Sequence, residues 1–151
     1  MPRAAGIDVR VSSAPFLPPS LTITMLDGVV LAFDFGARRT GVAIANSVTR
    51  AARPLTIITV DANDARWRAI TALVDEWQPT QFVVGIPRHP DGAADEMTAR
   101  CERFARQLEG RFGRLVARID ERYTSAVSDG DDAEAASLIL QQWLAQEDNL
   151  A

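Results

Sequence analysis

The spacing of apolar residues along the chain switches several times between the run of a buried strand and the period of a helix. Positions 29–35 are apolar except for Asp34, as expected of a central strand buried on both faces. A Gly-Ala-Arg-Arg-Thr-Gly turn at 36–41 leads into short apolar strands at 41–45 and 55–60. Short connections make these three strands antiparallel neighbours. Over 62–77 the period becomes helical, with Trp67, Ile70, Val74 and Trp77 on one face, Asp61 or Asn63 as N-cap, and Pro79 beyond the end. A strand at 81–86, bounded by Pro87 and an Asp91-Gly92 turn, precedes a helix at 93–112; a fifth strand at 115–119 and a last helix at 132–145 complete the pattern. The order βββαβαβα predicts an α/β fold with a mixed five-stranded sheet, its first strand central and helices on both faces.

Residues 1–27 carry Pro2, Pro15, Pro18 and Pro19 and no sustained period, and read as a flexible extension outside the core. Residues 28–147 are expected to form the domain and 148–151 a short tail. With 151 residues, 47% of them hydrophobic, a single core is expected. Neither an apolar run long enough to span a bilayer nor a secretory signal pattern is visible, which predicts a cytoplasmic protein. Cys101 is the only cysteine, so an intrachain disulfide and a cysteine-based zinc site are excluded. Its spacing from Met97, Phe104 and Leu108 places it in the core, and the three tryptophans, Trp67, Trp77 and Trp143, read as core residues on helix faces.

The formal net charge of −4 argues by its sum against a polyanionic partner. The distribution argues differently. All 16 basic residues are arginine, ten of them within 38–53 and 88–114, and the guanidinium fork suits phosphate. A GC-rich genome would produce the same usage.

Asp34 is the most informative acid, because a carboxylate inside an apolar run is costly unless a metal ion or hydrogen bonds in the Gly36 turn compensate it. It falls near the C-terminal end of its strand, where open α/β sheets place ligands. Asp120 and Glu121 end the fifth strand, and alternation lets only one of them share a face with Asp34. Asp132 opens the last helix beside Asp129, Asp131 and Glu134, where the helix dipole alone favours acids. Three carboxylates from two strands and a helix would suffice to hold Mg²⁺ or Mn²⁺ for two-metal phosphodiester cleavage. His89, the sole histidine, reads as a loop residue at the surface.

Five motifs, Leu31-Ala-Phe-Asp-Phe-Gly with Arg39, Gly41, Val42 and Ala43; Ala52-Arg53-Pro54-Leu55; Val83-Val84-Gly85-Ile86-Pro87 with Asp91-Gly92; Asp120-Glu121-Arg122 with Thr124 and Ser125; and Asp132 with Ala135, Ala136, Ile139 and Leu140, occur in this order. Over roughly 30–144 the chain resembles the YqgF/RuvX family of pre-16S rRNA nucleases or Holliday junction resolvases. The resemblance implies an RNase H-like fold and catalytic, metal-holding Asp34, Glu121 and Asp132. It also implies a divalent cation, an RNA or branched-DNA substrate, and a role in ribosome biogenesis in the cytoplasm. Arg38, Arg39, Arg53, Arg88, Arg122, Thr124 and Ser125 are candidate contacts to nucleic acid. Gly36 and Gly41 read as turn glycines at the ends of the hairpin, and Gly85 as a point of close backbone approach or a strand end. The chain departs from the family pattern in one place: only eleven positions separate Glu121 from Asp132, where a longer basic segment is usual. This motivates an alternative, a non-catalytic RNA-binding or ribosome-assembly module on the same fold. A third reading takes the 34–41 hairpin as the phosphate loop of an actin-like or sugar-kinase ATPase. Whether the protein is a monomer or a homodimer is open at this level.

Overall fold

Val30, Leu31, Ala32 and Phe33 are all fully buried, as a strand covered on both sides requires. They belong to β1 (Val29–Asp34), the third of five strands in the order β3-β2-β1-β4-β5. The computed structural model describes residues 28–89, 91–122 and 132–150; the expected extension at 1–27, together with Thr124 and Ser125, lies outside them. β2 (Arg39–Asn46) and β3 (Arg53–Thr59) run antiparallel to their neighbours, whereas β4 (Gln81–Arg88) and β5 (Leu115–Arg122) are parallel to β1. The expected mixed sheet with a central first strand is therefore present.

The two faces of the sheet are packed differently. Leu31 and Phe33 point toward α1 (Asn63–Trp77) and α2 (Glu96–Phe112), meeting Trp67, Ile70, Phe104 and Leu108 in the larger core cluster. Val30 and Ala32, with Ala43, Ala45 and Val83, face α3 (Asp132–Leu150), whose Ala136, Ile139, Leu140 and Trp143 close the second cluster. Small side chains on the second face let α3 lie close to the sheet. Cys101, Trp67 and Trp143 are buried and Trp77 packs against the larger cluster, all as expected.

The boundaries differ from the sequence expectation where polar residues take part in regular structure. β4 and β5 continue past their apolar runs because Ile86, Pro87 and Arg88 pair with Asp120, Glu121 and Arg122. α2 starts at Glu96 and not near 93: Asp95 accepts from the Thr98 amide and Thr98 Oγ1 accepts from the Asp95 amide, a capping box. α1 has Ala62 as its N-cap with no side-chain cap. Asn63 is the first helical residue, and its Oδ1 accepts from Arg66 instead. α3 runs on to Leu150, through positions expected as tail. Among the described residues no helix is long and apolar enough to cross a membrane.

Candidate active site

Strand alternation sorts the acids. Even-numbered residues of β1 face α3, so Asp34 follows Val30 and Ala32 onto that face. On β5, Ile119 belongs to the same cluster, which puts Glu121 on the α3 side and Asp120 on the other. Asp120 lies 3.8 Å from Arg88. Of the adjacent pair, Glu121 is thus the residue that shares a face with Asp34.

Between β1 and β5 lies β4, and Gly85 opens the space over it. A Cβ at Gly85 would stand 3.1 Å from Glu121 Oε1 and 2.6 Å from Ile139 Cδ1. β4 continues to Arg88, so Gly85 does not end the strand; its bare backbone admits the Glu121 carboxylate and the Ile139 side chain. Gly41 plays the same part for α3. It lies inside β2 opposite Asp34, and a Cβ there would overlap the main-chain carbonyl of Asp132. The reading of Gly41 as a hairpin-turn glycine is corrected accordingly: close approach of the helix requires it, and its φ is not positive. Gly36 remains in the loop, where a Cβ would overlap the Arg39 carbonyl.

Asp34 and Glu121 are half-buried, and neither has a cationic partner among the described residues. Burial, with the Asp132 charge second, raises the Asp34 carboxyl to about 6. Burial, with the Asp34 charge second, raises Glu121 to about 7. The two therefore feel one another, and Asp34 also feels Asp132 at the start of α3. The Asp132 carboxylate itself is engaged by Arg39, with Nε to Oδ2 at 3.0 Å. Among the described residues, no three His, Cys, Asp or Glu side chains come together as a ready-made cation site. The fold brings the three expected carboxylates to one end of one face, and Arg39 holds the third.

The other candidates are scattered around this end. Arg38 is exposed, 3.9 Å from Asp61, and Arg88 lies with Asp120 on the face of the sheet away from the acids. Arg53 lies on edge strand β3 opposite Ile44, at the level of Leu31, about 10 Å back along the sheet and two strands away from Asp34. The fold does not bring it to the acids. Arg122 is at the end of β5, its backbone paired with Arg88. His89 is more than half exposed and 3.5 Å from Asp95.

Arg66 was not singled out by the sequence reading. It is 6% exposed, donates to the carbonyls of Gly36 and Ala37 and to Asn63 Oδ1, and lies over the Phe35 ring. It thereby holds the loop that follows Asp34. Its signal was present in the chain, since Arg66, Ile70, Leu73 and Trp77 share one helical face.

Residues 28–146 match the family described as RuvX, Holliday junction resolvase. A protein of Polynucleobacter necessarius subsp. necessarius (strain STIR1), named "Putative pre-16S rRNA nuclease", is 50% identical over 139 residues, covering 87% of this chain and 93% of its own length. A protein of the same name from Paraburkholderia phytofirmans is 46% identical over 129 residues, covering 78% and 88%. Among solved structures, T. thermophilus RuvC in complex with a Holliday junction substrate aligns at 13% identity and a TM-score of 0.48, over 79% of this chain and 94% of that one.

Proposed function

The chain belongs to the RuvX family, and on that premise we propose that it is a metal-dependent endonuclease that hydrolyses phosphodiester bonds in structured nucleic acid. Its substrate class is pre-16S rRNA near its 5′ end or the branched DNA of a Holliday junction, and its place of action is the cytoplasm. The observation that carries the reading is the pair of half-buried carboxylates, Asp34 and Glu121, on the same face of the sheet, Glu121 beside Gly85, with no cation among the described residues to balance them.

This donor set fits Mg²⁺ or Mn²⁺. Carboxylate oxygens are hard ligands, and uncompensated negative charge in a desolvated position is what a divalent ion offsets. Asp34 and Glu121 would hold the ion, joined by Asp132 when Arg39 moves from its carboxylate to a substrate phosphate. When bound, such an ion supplies charge neutralisation at the phosphate and lowers the pKa of a coordinated water. Glu121, which burial raises to about 7 in the metal-free protein, would give up its proton on holding the ion and orient the attacking water. Arg38 and Arg39 lie in the loop and strand beside Asp34, placed to orient the backbone phosphates. Asp34 ends the central strand, its backbone paired with Gly41 of β2, which holds the carboxylate on a rigid element.

The test is cleavage by Asp34→Asn on pre-16S rRNA and on a four-way DNA junction, with Mg²⁺ or Mn²⁺ present. The expected outcome is a loss of at least about a hundredfold in rate with an unchanged fold by circular dichroism. Full activity in the variant overturns the assignment of Asp34.

The Arg39–Asp132 ion pair favours a second reading, an RNA-binding module that needs no metal. It predicts salt-sensitive RNA binding unaffected by a chelator at constant ionic strength. Paramagnetic broadening of the Asp34, Glu121 and Asp132 amides by low Mn²⁺ would decide for the nuclease; broadening that spares them would decide for the module.

A further inference from the structure

On the opposite side of the β1–β2 loop from the acids, between the start of α1 and the middle of α2, lies a cavity of about 360 Å³. It is within the range of small-ligand pockets, about 300–1,000 Å³. Three arginines line it, Arg66, Arg100 and Arg103, against a single carboxylate, Asp61. Asp61 is almost fully exposed and 3.9 Å from Arg38, and Arg100 is 3.7 Å from Glu96 on the outer surface of α2. Arg103 has no acidic partner among the described residues.

Arg66 is the unusual member. It is a buried cation whose hydrogen bonds go to neutral groups, two loop carbonyls and an amide oxygen, and its Nε is buried with no partner at all. Among the described residues no carboxylate balances it, and burial alone pulls its pKa down. A buried guanidinium with one donor unsatisfied and no counter-charge beside it is costly, and an anion in the cavity it lines would supply that charge.

We infer that this cavity is a phosphate-binding subsite, formed by Arg66, Arg103 and Arg100, with Gln107 also lining it. Its location gives the phosphate a role. Asp34 and Phe35 are consecutive, so their Cα atoms are about 3.8 Å apart. Asp34 points to the α3 face, while Phe35 lines the cavity on the other. A strand laid across the C-terminal end of β1 would present one phosphate to the acids and a flanking one to the arginines. That identification of the source rests on the nuclease reading; the preference for phosphate does not.

The experiment measures binding, not cleavage, in the full chain carrying Asp34→Asn. Three probes are titrated: inorganic phosphate, AMP and a short single-stranded RNA, with amide shifts of Phe35, Ala37 and Gln107 as the local readout. Arg103→Gln is compared with Arg106→Gln, which removes the same charge from the same helix but does not line the cavity. The expected result is that all three probes shift these amides. Arg103→Gln should weaken RNA binding about fivefold or more relative to Arg106→Gln, and lower the slope of log affinity against log salt by about one. If phosphate and AMP shift the amides while RNA affinity is indifferent to Arg103→Gln, the phosphate subsite stands and the strand as its source is overturned. If no probe shifts them, or phosphate and AMP bind Arg103→Gln as well as Arg106→Gln, the subsite itself is overturned. If the unsubstituted chain cleaves neither substrate while the binding results are as expected, the nuclease reading fails and the subsite stands.

Discussion

Two carboxyls that hold their protons longer in the folded chain than in the unfolded one make stability depend on pH in a definite direction. Asp34 moves from an ordinary 3.8 to about 6 and Glu121 from 4.5 to about 7. Between those limits the native state binds more protons, so their stabilising contribution is complete below about pH 4 and is lost as pH rises toward 7. In chelator, urea unfolding should show a fall on the order of 2–4 kcal/mol between pH 4.5 and 8, after screening of these partly exposed groups. Asp34→Asn should flatten a large part of that slope and leave the metal-free protein more stable at pH 8. A pH profile unchanged by the substitution would show that Asp34 is not the strained acid. Mn²⁺ should restore stability at pH 8 and do little at pH 4.5, where it competes with protons.

At the scale of the elements, two glycines set the distance between α3 and the sheet. Gly41→Ala drives a methyl into the main chain of Asp132, which cannot move without the helix, while Gly85→Ala meets a methyl of Ile139 and the Glu121 carboxylate, both at the ends of side chains. The expected loss of stability is therefore larger for Gly41→Ala, about 3 kcal/mol or more, and about 1 kcal/mol for Gly85→Ala. Mn²⁺ affinity should show a marked loss at Gly85, because the added methyl stands where Glu121 reaches in. Thermal unfolding and metal titration of the two variants separate the effects; equal destabilisation would contradict the placement of α3 over β2.

At the scale of the molecule, one sheet serves two cores, and only the smaller one carries the third acid. Leu140 lies in the α3 cluster and Leu108 in the cluster beneath α1 and α2, both fully buried. Each leucine-to-alanine change should cost about 2–5 kcal/mol. The gain in stability from saturating Mn²⁺, about 2.7 kcal/mol at a hundredfold excess over Kd, should shrink in Leu140→Ala and persist in Leu108→Ala, since only the former loosens the helix that presents Asp132. Calorimetry with and without metal reads this, and equal shrinkage in both would show that the site does not depend on α3. The element order, the central position of β1 and the place of Asp34 at its end were legible in the residues, because an apolar run, short connections and an acid inside that run each constrain the fold locally. Alternation narrowed Asp120 and Glu121 to one, but choosing between them needed the orientation of β5 against α3. The turn reading of Gly41, the apolar ends assigned to β4 and β5, and the oversight of Arg66 share one cause. Each depends on a residue distant in sequence: the carbonyl of Asp132, the partner strand's polar end, and the loop carbonyls after Asp34. Periodicity reports which face a residue presents; what that face meets, and whether a charge there finds a partner, is decided only when the helices close on the sheet.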